Sequence, residues 1–142
     1  MPLSSPPFNI GHLDHLVLRV ADLERMITFY RDVLGCTVER SLADLGLHQL
    51  RAGASLIDLV DLDSPLGREG GAGPGAEGHN LDHFCLRVDP FDAAAIATWL
   101  EAAGVAHASP ARRYGADGYG RSIYLDDPEG NRVELKGPPE QE

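Results

Sequence analysis

The sequence has only two cysteines, Cys36 and Cys85, in 142 residues. That is too few for a disulfide framework, and the paired CxxC spacing of a structural zinc site is missing. Both read as ordinary thiols. Positive charge is scarce as well: 12 lysines and arginines stand against 22 aspartates and glutamates, a formal charge of −10. Binding a nucleic-acid backbone or an anionic membrane draws on a basic surface that releases counterions, so neither partner is expected. A small anionic substrate remains compatible, because single arginines inside a pocket act locally. No apolar run approaches the ~20 residues that span a bilayer. The start, MPLSSPPFNI, lacks the basic and apolar regions of a signal peptide, so a reducing, cytoplasmic setting is the expectation.

What is present is a globular composition, 43% hydrophobic and 24% charged, at the length of one domain able to bury a core without cross-links. The chain also writes one octet twice. LDHLVLRV runs from Leu13 to Val20 and LDHFCLRV from Leu81 to Val88, with six of eight positions identical and an Arg four residues after each His.

Each octet reads as a strand followed by a helix. After the first, Leu23, Met26, Ile27, Tyr30 and Leu34 fall at helical spacing, with Asp22 placed as N-cap and Gly35 as C-terminal stop. After the second, Asp89 and Pro90 are suited to a cap and first turn, Phe91, Ala94, Ala95, Trp99 and Leu100 form the apolar stripe, and Gly104 ends it. Trp99 is accordingly expected in the core. Short strands follow at about 37–41, 47–51 and 56–61 in the first half, and at 105–108, 122–125 and 132–136 in the second, the last two joined by the turn DDPEGN. The pattern is βαβββ twice: an α+β fold in a single domain, with modules at about 10–62 and 81–137. Between them SPLGREGGAGPGAEGHN, residues 64–80, is expected to hold neither strand nor helix and to serve as a solvated connector or a substrate lid.

Alternation places the chemistry. Leu16, Leu18 and Val20 share the face that meets the helix, which leaves His15, Val17 and Arg19 on the other; the second copy repeats this with His83, Cys85 and Arg87. In the last strand of each half, Asp58 and Glu134 each stand between two apolar residues and face the His side. One half cannot cover that face alone, so two curved mixed sheets facing each other would enclose a cavity. Two imidazoles and two carboxylates suit a borderline or hard divalent ion, Fe, Ni, Mn, Co or Zn, with positions left for water or substrate. The stretch ARRYGADGYGRS, 111–122, brings Arg112, Arg113 and Arg121 together with Tyr114, Tyr119 and three glycines. It reads as a loop, either a mobile substrate cover using residues such as Arg113, Tyr119 and Arg121 or a surface segment.

The two octets, FYRDVLG and DDPEGNRVELKG resemble the vicinal oxygen chelate superfamily, which includes glyoxalase I, extradiol dioxygenases, fosfomycin-resistance enzymes, methylmalonyl-CoA epimerase and bleomycin-binding proteins. The resemblance spans about residues 10–137. It implies paired βαβββ modules, a divalent metal held by His15, Asp58, His83 and Glu134, a small substrate chelated through adjacent oxygens, and a homodimer in which one site draws on both subunits. HLVLRVADL, SLIDL and DPEGNRVEL look most like bacterial glyoxalase I. There, the residue at the position of Arg19 contacts a glutathione carboxylate and the residue at Glu134 binds metal and acts as base. Arg87 repeats Arg19 in the second octet.

Two positions depart from that enzyme. Asp58 stands where it has Glu, and Leu62 where it has an Asn that holds the glutathione backbone. His15, His83 and Glu134 alone would match the two-His, one-Glu set of the fosfomycin-resistance and dioxygenase members. The implied functions are therefore a lyase or isomerase of the lactoylglutathione lyase type, an extradiol-type dioxygenase or thiol transferase, or a metal-free drug-binding protein.

Overall fold

A computed structural model describes residues 4–140; the first three and last two residues of the sequence lie outside the described residues. The first module runs β1 His15–Val20, α1 Leu23–Thr28, β2 Thr37–Leu42, β3 Leu47–Ala52 and β4 Ser55–Asp61. After a short connection carrying helix α2 Pro65–Glu69, the second runs β5 Phe84–Arg87, α3 Ala93–Ala102, β6 Ala111–Gly115, β7 Gly118–Asp126 and β8 Arg132–Lys136. Each module folds into a four-stranded sheet with the same order, β1-β4-β3-β2 and β5-β8-β7-β6. The octet strand pairs in parallel with the last strand of its own module.

The helices start where side chains cap them. Asp22 accepts from the Arg25 amide and Asp92 from the Ala95 amide, both at 3.1 Å, so two of the orphan N–H groups at the helix starts find partners. The second helix thus begins at Ala93 behind Asp92, three residues later than Asp89 and Pro90 suggest. The first continues from α1 into a wider helical turn over Phe29–Val33 and stops before Gly35, whose φ of +80° favours a residue without Cβ.

Four further expectations are corrected. Residues 64–80 hold a helix after all: Ser64 accepts from the Gly67 amide and Pro65 takes the first turn. Gly67 packs so tightly that a Cβ would lie 2.0 Å from the Asp61 carbonyl oxygen. Residues 105–108 contribute only a single bridge, His107 to Leu125, instead of a strand. ARRYGADGYGRS is a β-hairpin and not a loop, its strands β6 and β7 turning at Ala116–Asp117. Trp99 is 57% exposed and its indole N–H donates to the Val33 carbonyl at 2.9 Å. It seals the end of the first module's helix instead of filling the core, where Leu100 is buried.

Both modules turn their helix sides toward one shared core, including Leu18, Tyr30, Ile57 and Leu59 from the first and Phe84, Leu100, Ile123 and Val133 from the second. Tyr30 and Phe84 stack across the module boundary. Each fully buried Leu or Ile contributes on the order of 1.5–3 kcal/mol, enough to fix both sheets with their opposite faces free.

Candidate functional site

Register puts the expected residues on those free faces. Across the parallel pairs Val17 lies beside Asp58 and Cys85 beside Glu134, so each carboxylate shares a face with its module's His and Arg. His83 stands one residue ahead of β5, not within a strand as His15 does. Asp58 and Glu134 are 3% and 5% exposed. A carboxylate that deeply buried is costly unless something compensates it.

The two carboxylates are compensated differently. Glu134 lies between the Cys85 thiol on β5 and the Tyr124 hydroxyl on β7, its partners in the register. Burial and the carboxylate push the thiol up to about 11 and raise the Tyr124 hydroxyl as well, so both stay protonated donors. Asp58 receives one bond, from Gln49 Nε2 to Oδ2 at 3.2 Å. Its other oxygen, Oδ1, is buried without a partner among the described residues.

Each imidazole faces its carboxylate: His15 Nε2 lies 4.0 Å from Asp58 Oδ2 and His83 Nε2 3.4 Å from Glu134 Oε1. The opposite ring nitrogen is held by the preceding residue in both copies, His15 Nδ1 to Asp14 at 2.7 Å and His83 Nδ1 to Asp82 at 2.5 Å. When Nδ1–H donates to that carboxylate, Nε2 presents a lone pair, and a lone pair facing a carboxylate oxygen invites a cation between them. Without one, a proton serves: the bond to Asp14, then the Asp58 charge, raises the His15 pKa. The pair Asp14 and Asp82 was legible in the duplicated LDH, yet sequence patterning alone gave them no role; Gln49 and Tyr124 carried no signal.

The arginines and tyrosines divide. Arg113 lies on the Glu134 face, where it donates to Ser122 Oγ at 3.0 Å and stacks 4.3 Å over the Tyr124 ring. Arg87 pairs with Asp117 at the hairpin tip. Arg19 donates to the carbonyls of Gly71 and Ala72, pinning the connector. Tyr119 and Arg121 are not brought to the site: in β7 the residue paired with Glu134 is Tyr124, and strand alternation sends 119 and 121 to the opposite face. There Tyr119 contacts Tyr114 and Arg112.

One cleft is lined by the His83–Glu134 pair, and a second lies on the far side of Tyr124. The first, of 290 Å³, runs past Cys85 and Glu134 to Arg87, Asp117 and Lys136; the second, of 340 Å³, is lined by His107, Tyr124, Asp126 and Arg132. Among the described residues no group of three or more His, Cys, Asp or Glu gathers to hold a metal within one chain. The chain presents two separate pairs, each one imidazole and one carboxylate.

Two βαβββ modules, each with a His at or just ahead of the first strand and a carboxylate on the last, define a class of proteins built on paired sheets. The chain belongs to the Glyoxalase/Bleomycin resistance protein/Dioxygenase superfamily, whose sequence profile matches residues 12–135. It is 31% identical over 106 residues to the mitochondrial methylmalonyl-CoA epimerase of Mus musculus, covering 66% of this chain and 54% of that protein. The chain thus spans about half the length of the curated relatives it matches. An integron cassette protein from the mobile metagenome of V. cholerae superposes with a TM-score of 0.73 at 32% identity, over 92% of this chain and 97% of that one. The lactoylglutathione lyase of Agrobacterium tumefaciens superposes with a TM-score of 0.63 at 27% identity, over 94% and 96% of the two chains. Among the described residues no helix is long and apolar enough to cross a membrane.

Proposed function

We propose that the protein is a metal-dependent isomerase or lyase that moves a proton on a small substrate held through adjacent oxygens. Its site would be shared in a homodimer, His15 and Asp58 of one copy with His83 and Glu134 of the other. The observation that carries this reading is the buried Oδ1 of Asp58, without a partner among the described residues, beside the His15 imidazole. An apolar residue would cost less there, and a divalent ion removes the penalty. The donor set of two imidazoles and two carboxylates fits such an ion. Among the described residues no three of these groups gather within one chain, and a site divided between two copies would bring all four together.

A divalent ion supplies Lewis acidity, lowering the cost of negative charge on a substrate oxygen. The rest falls to the chain. Glu134 accepts the proton, flanked by Cys85 and Tyr124, and its long side chain suits it to reach a carbon-bound hydrogen better than Asp58. Arg113, over Tyr124, holds that ring in place. The names of the relatives, an epimerase and a lactoylglutathione lyase, agree with proton-transfer chemistry.

A second reading has one observation in its favour. Asp58 lies farther from its imidazole than Glu134 does, 4.0 against 3.4 Å. His15, His83 and Glu134 alone would form the set of a dioxygenase or thiol transferase.

Metal analysis of the purified chain tests the reading. About one divalent ion per chain is expected, lost in His15→Ala and in His83→Ala with the fold retained. Mixing His15→Ala with Glu134→Ala chains should restore one intact site per heterodimer. Incubation in deuterated solvent with methylmalonyl-CoA or hemithioacetals of several thiols should label the substrate carbon, and Glu134→Gln should abolish the label. Unchanged metal in both His variants, or a monomer that keeps its metal, overturns the shared site.

A further inference from the structure

The cleft that leaves the His83–Glu134 pair does not end in neutral surface. Along β8, Glu134 and Lys136 occupy successive positions of the same face, and Arg87 lies beside Lys136 in the register. Two residues along a strand span roughly 7 Å. The cleft therefore carries two cations about that far from the carboxylate taken to be the base.

The cations are set differently. Lys136 is buried, 6% exposed, and its Nζ donates to the Gly118 carbonyl at 3.0 Å. The hairpin is shaped around it: a Cβ at Gly115 would lie 2.9 Å from Lys136 Cε, and one at Gly120 2.9 Å from Nζ. Arg87 is 43% exposed at its side chain and is met by Asp117, 63% exposed, from the two-residue turn of that hairpin. An exposed ion pair of this kind is weak and readily exchanged. Arginine's planar fork takes a second carboxylate or a phosphate as well as the first.

We infer that Arg87 and Lys136 form an anion subsite for a substrate bearing a carboxylate or phosphate about 7 Å from its reacting oxygens, and that Asp117 occupies Arg87 until that anion replaces it. The inference rests on the proposed function for where the reacting end of the substrate lies. The anion site itself needs no metal. The hairpin tip then works as a gate: the ligand's charge takes over from Asp117, and the turn at Ala116–Asp117 is released.

The test titrates the full chain, in EDTA at fixed ionic strength, with malonate in one arm and inorganic phosphate in the other. Chloride serves as control, and the readout is the amide signals of Gly115 and Gly118 with the Arg87 Nε signal. Saturable shifts are expected in at least one arm, and that arm names the anion class. Asp117→Asn should tighten binding by about twofold to fivefold, the size of an exposed ion pair. Arg87→Met should weaken it by about tenfold or more. A structural ion pair alone would leave anion binding unmoved in both variants, and that result overturns the inference. So do shifts reproduced by chloride, or an Asp117→Asn chain that binds no tighter. Because no metal is present, failure of the His15 and His83 metal test leaves this result standing, and the converse holds.

Discussion

The hydroxyl of Tyr30, in the helical turn that follows α1, donates a 2.7 Å hydrogen bond to Asp127 Oδ2, in the turn before β8, across 97 residues of sequence. Both groups are buried. Asp127 also accepts from the Asn131 amide and side chain at 2.9 and 2.8 Å, and Glu129 of the same turn accepts from the amides of Ala21 and Asp22, each at 2.7 Å. The turn DDPEGN is therefore the clasp that fixes one module on the other, with Glu129 placed as an anion at the start of α1.

Tyr30→Phe removes the donor and leaves the buried carboxylate with its other partners. A loss of about 1.5–3 kcal/mol is expected from a hydrogen bond to a charged group. Urea unfolding followed by circular dichroism checks it, and an unchanged midpoint would show that the clasp contributes nothing to stability.

Asp14→Asn and Asp82→Asn weaken the acceptor that orients each imidazole while leaving the proposed ligands in place. Metal affinity should fall by about 10- to 100-fold in either variant, read by competition with a chromogenic chelator. The equality of the two effects is part of the expectation, since both copies of the octet hold their His in the same way.

Asp58→Leu should uncouple stability from function. In EDTA the variant gains about 1–3 kcal/mol in thermal unfolding, because an unpartnered buried carboxylate oxygen is replaced by apolar volume. In the presence of metal the ordering reverses, as only the parent chain is stabilised by binding. A destabilised Asp58→Leu chain in EDTA would mean that the carboxylate is structural.

His107 sits with Nδ1 against the Ala108 carbonyl at 2.9 Å and Nε2 against Glu101 at 3.1 Å. The carbonyl first, then Glu101, raises its pKa. Protons are then held more tightly in the folded chain than in the unfolded one. The contribution is complete below the unfolded value near 6.5 and is lost as pH rises through the raised folded value. His107→Ala should therefore cost more stability at about pH 5.5 than at about pH 8.5. Equal costs at the two pH values would show that the imidazolium adds nothing.

The helix spacing of Met26 and Tyr30, the alternation around Leu18 and Leu59, and the duplicated octet were enough to define two βαβββ modules and to aim His15, Asp58, His83 and Glu134 at one kind of face. These are short-range properties: the period of 3.6 or 2 is written within a few residues, and burial follows from it. Local reading failed where local signals competed. The glycines of 111–122 suggested a loop, but pairing of β6 with β7 satisfies the backbone there and the glycines make room for Lys136. Trp99 lies on a helical stripe, yet the first module's helix end, 66 residues away, offers its indole a carbonyl at the surface.

By itself the sequence determined the two modules, their strand faces and the residue types that each face presents, because side-chain direction follows from the local backbone period. Only the tertiary structure decided which groups meet across long separations. It placed Asp127 on Tyr30 and Glu129 on the first turn of α1, left one oxygen of Asp58 buried without a partner among the described residues, and set Asp117 on Arg87. No spacing rule reaches across 97 or 30 residues; those contacts exist because two sheets bury their helix sides in one core and the remaining polar groups must find partners where that packing leaves them.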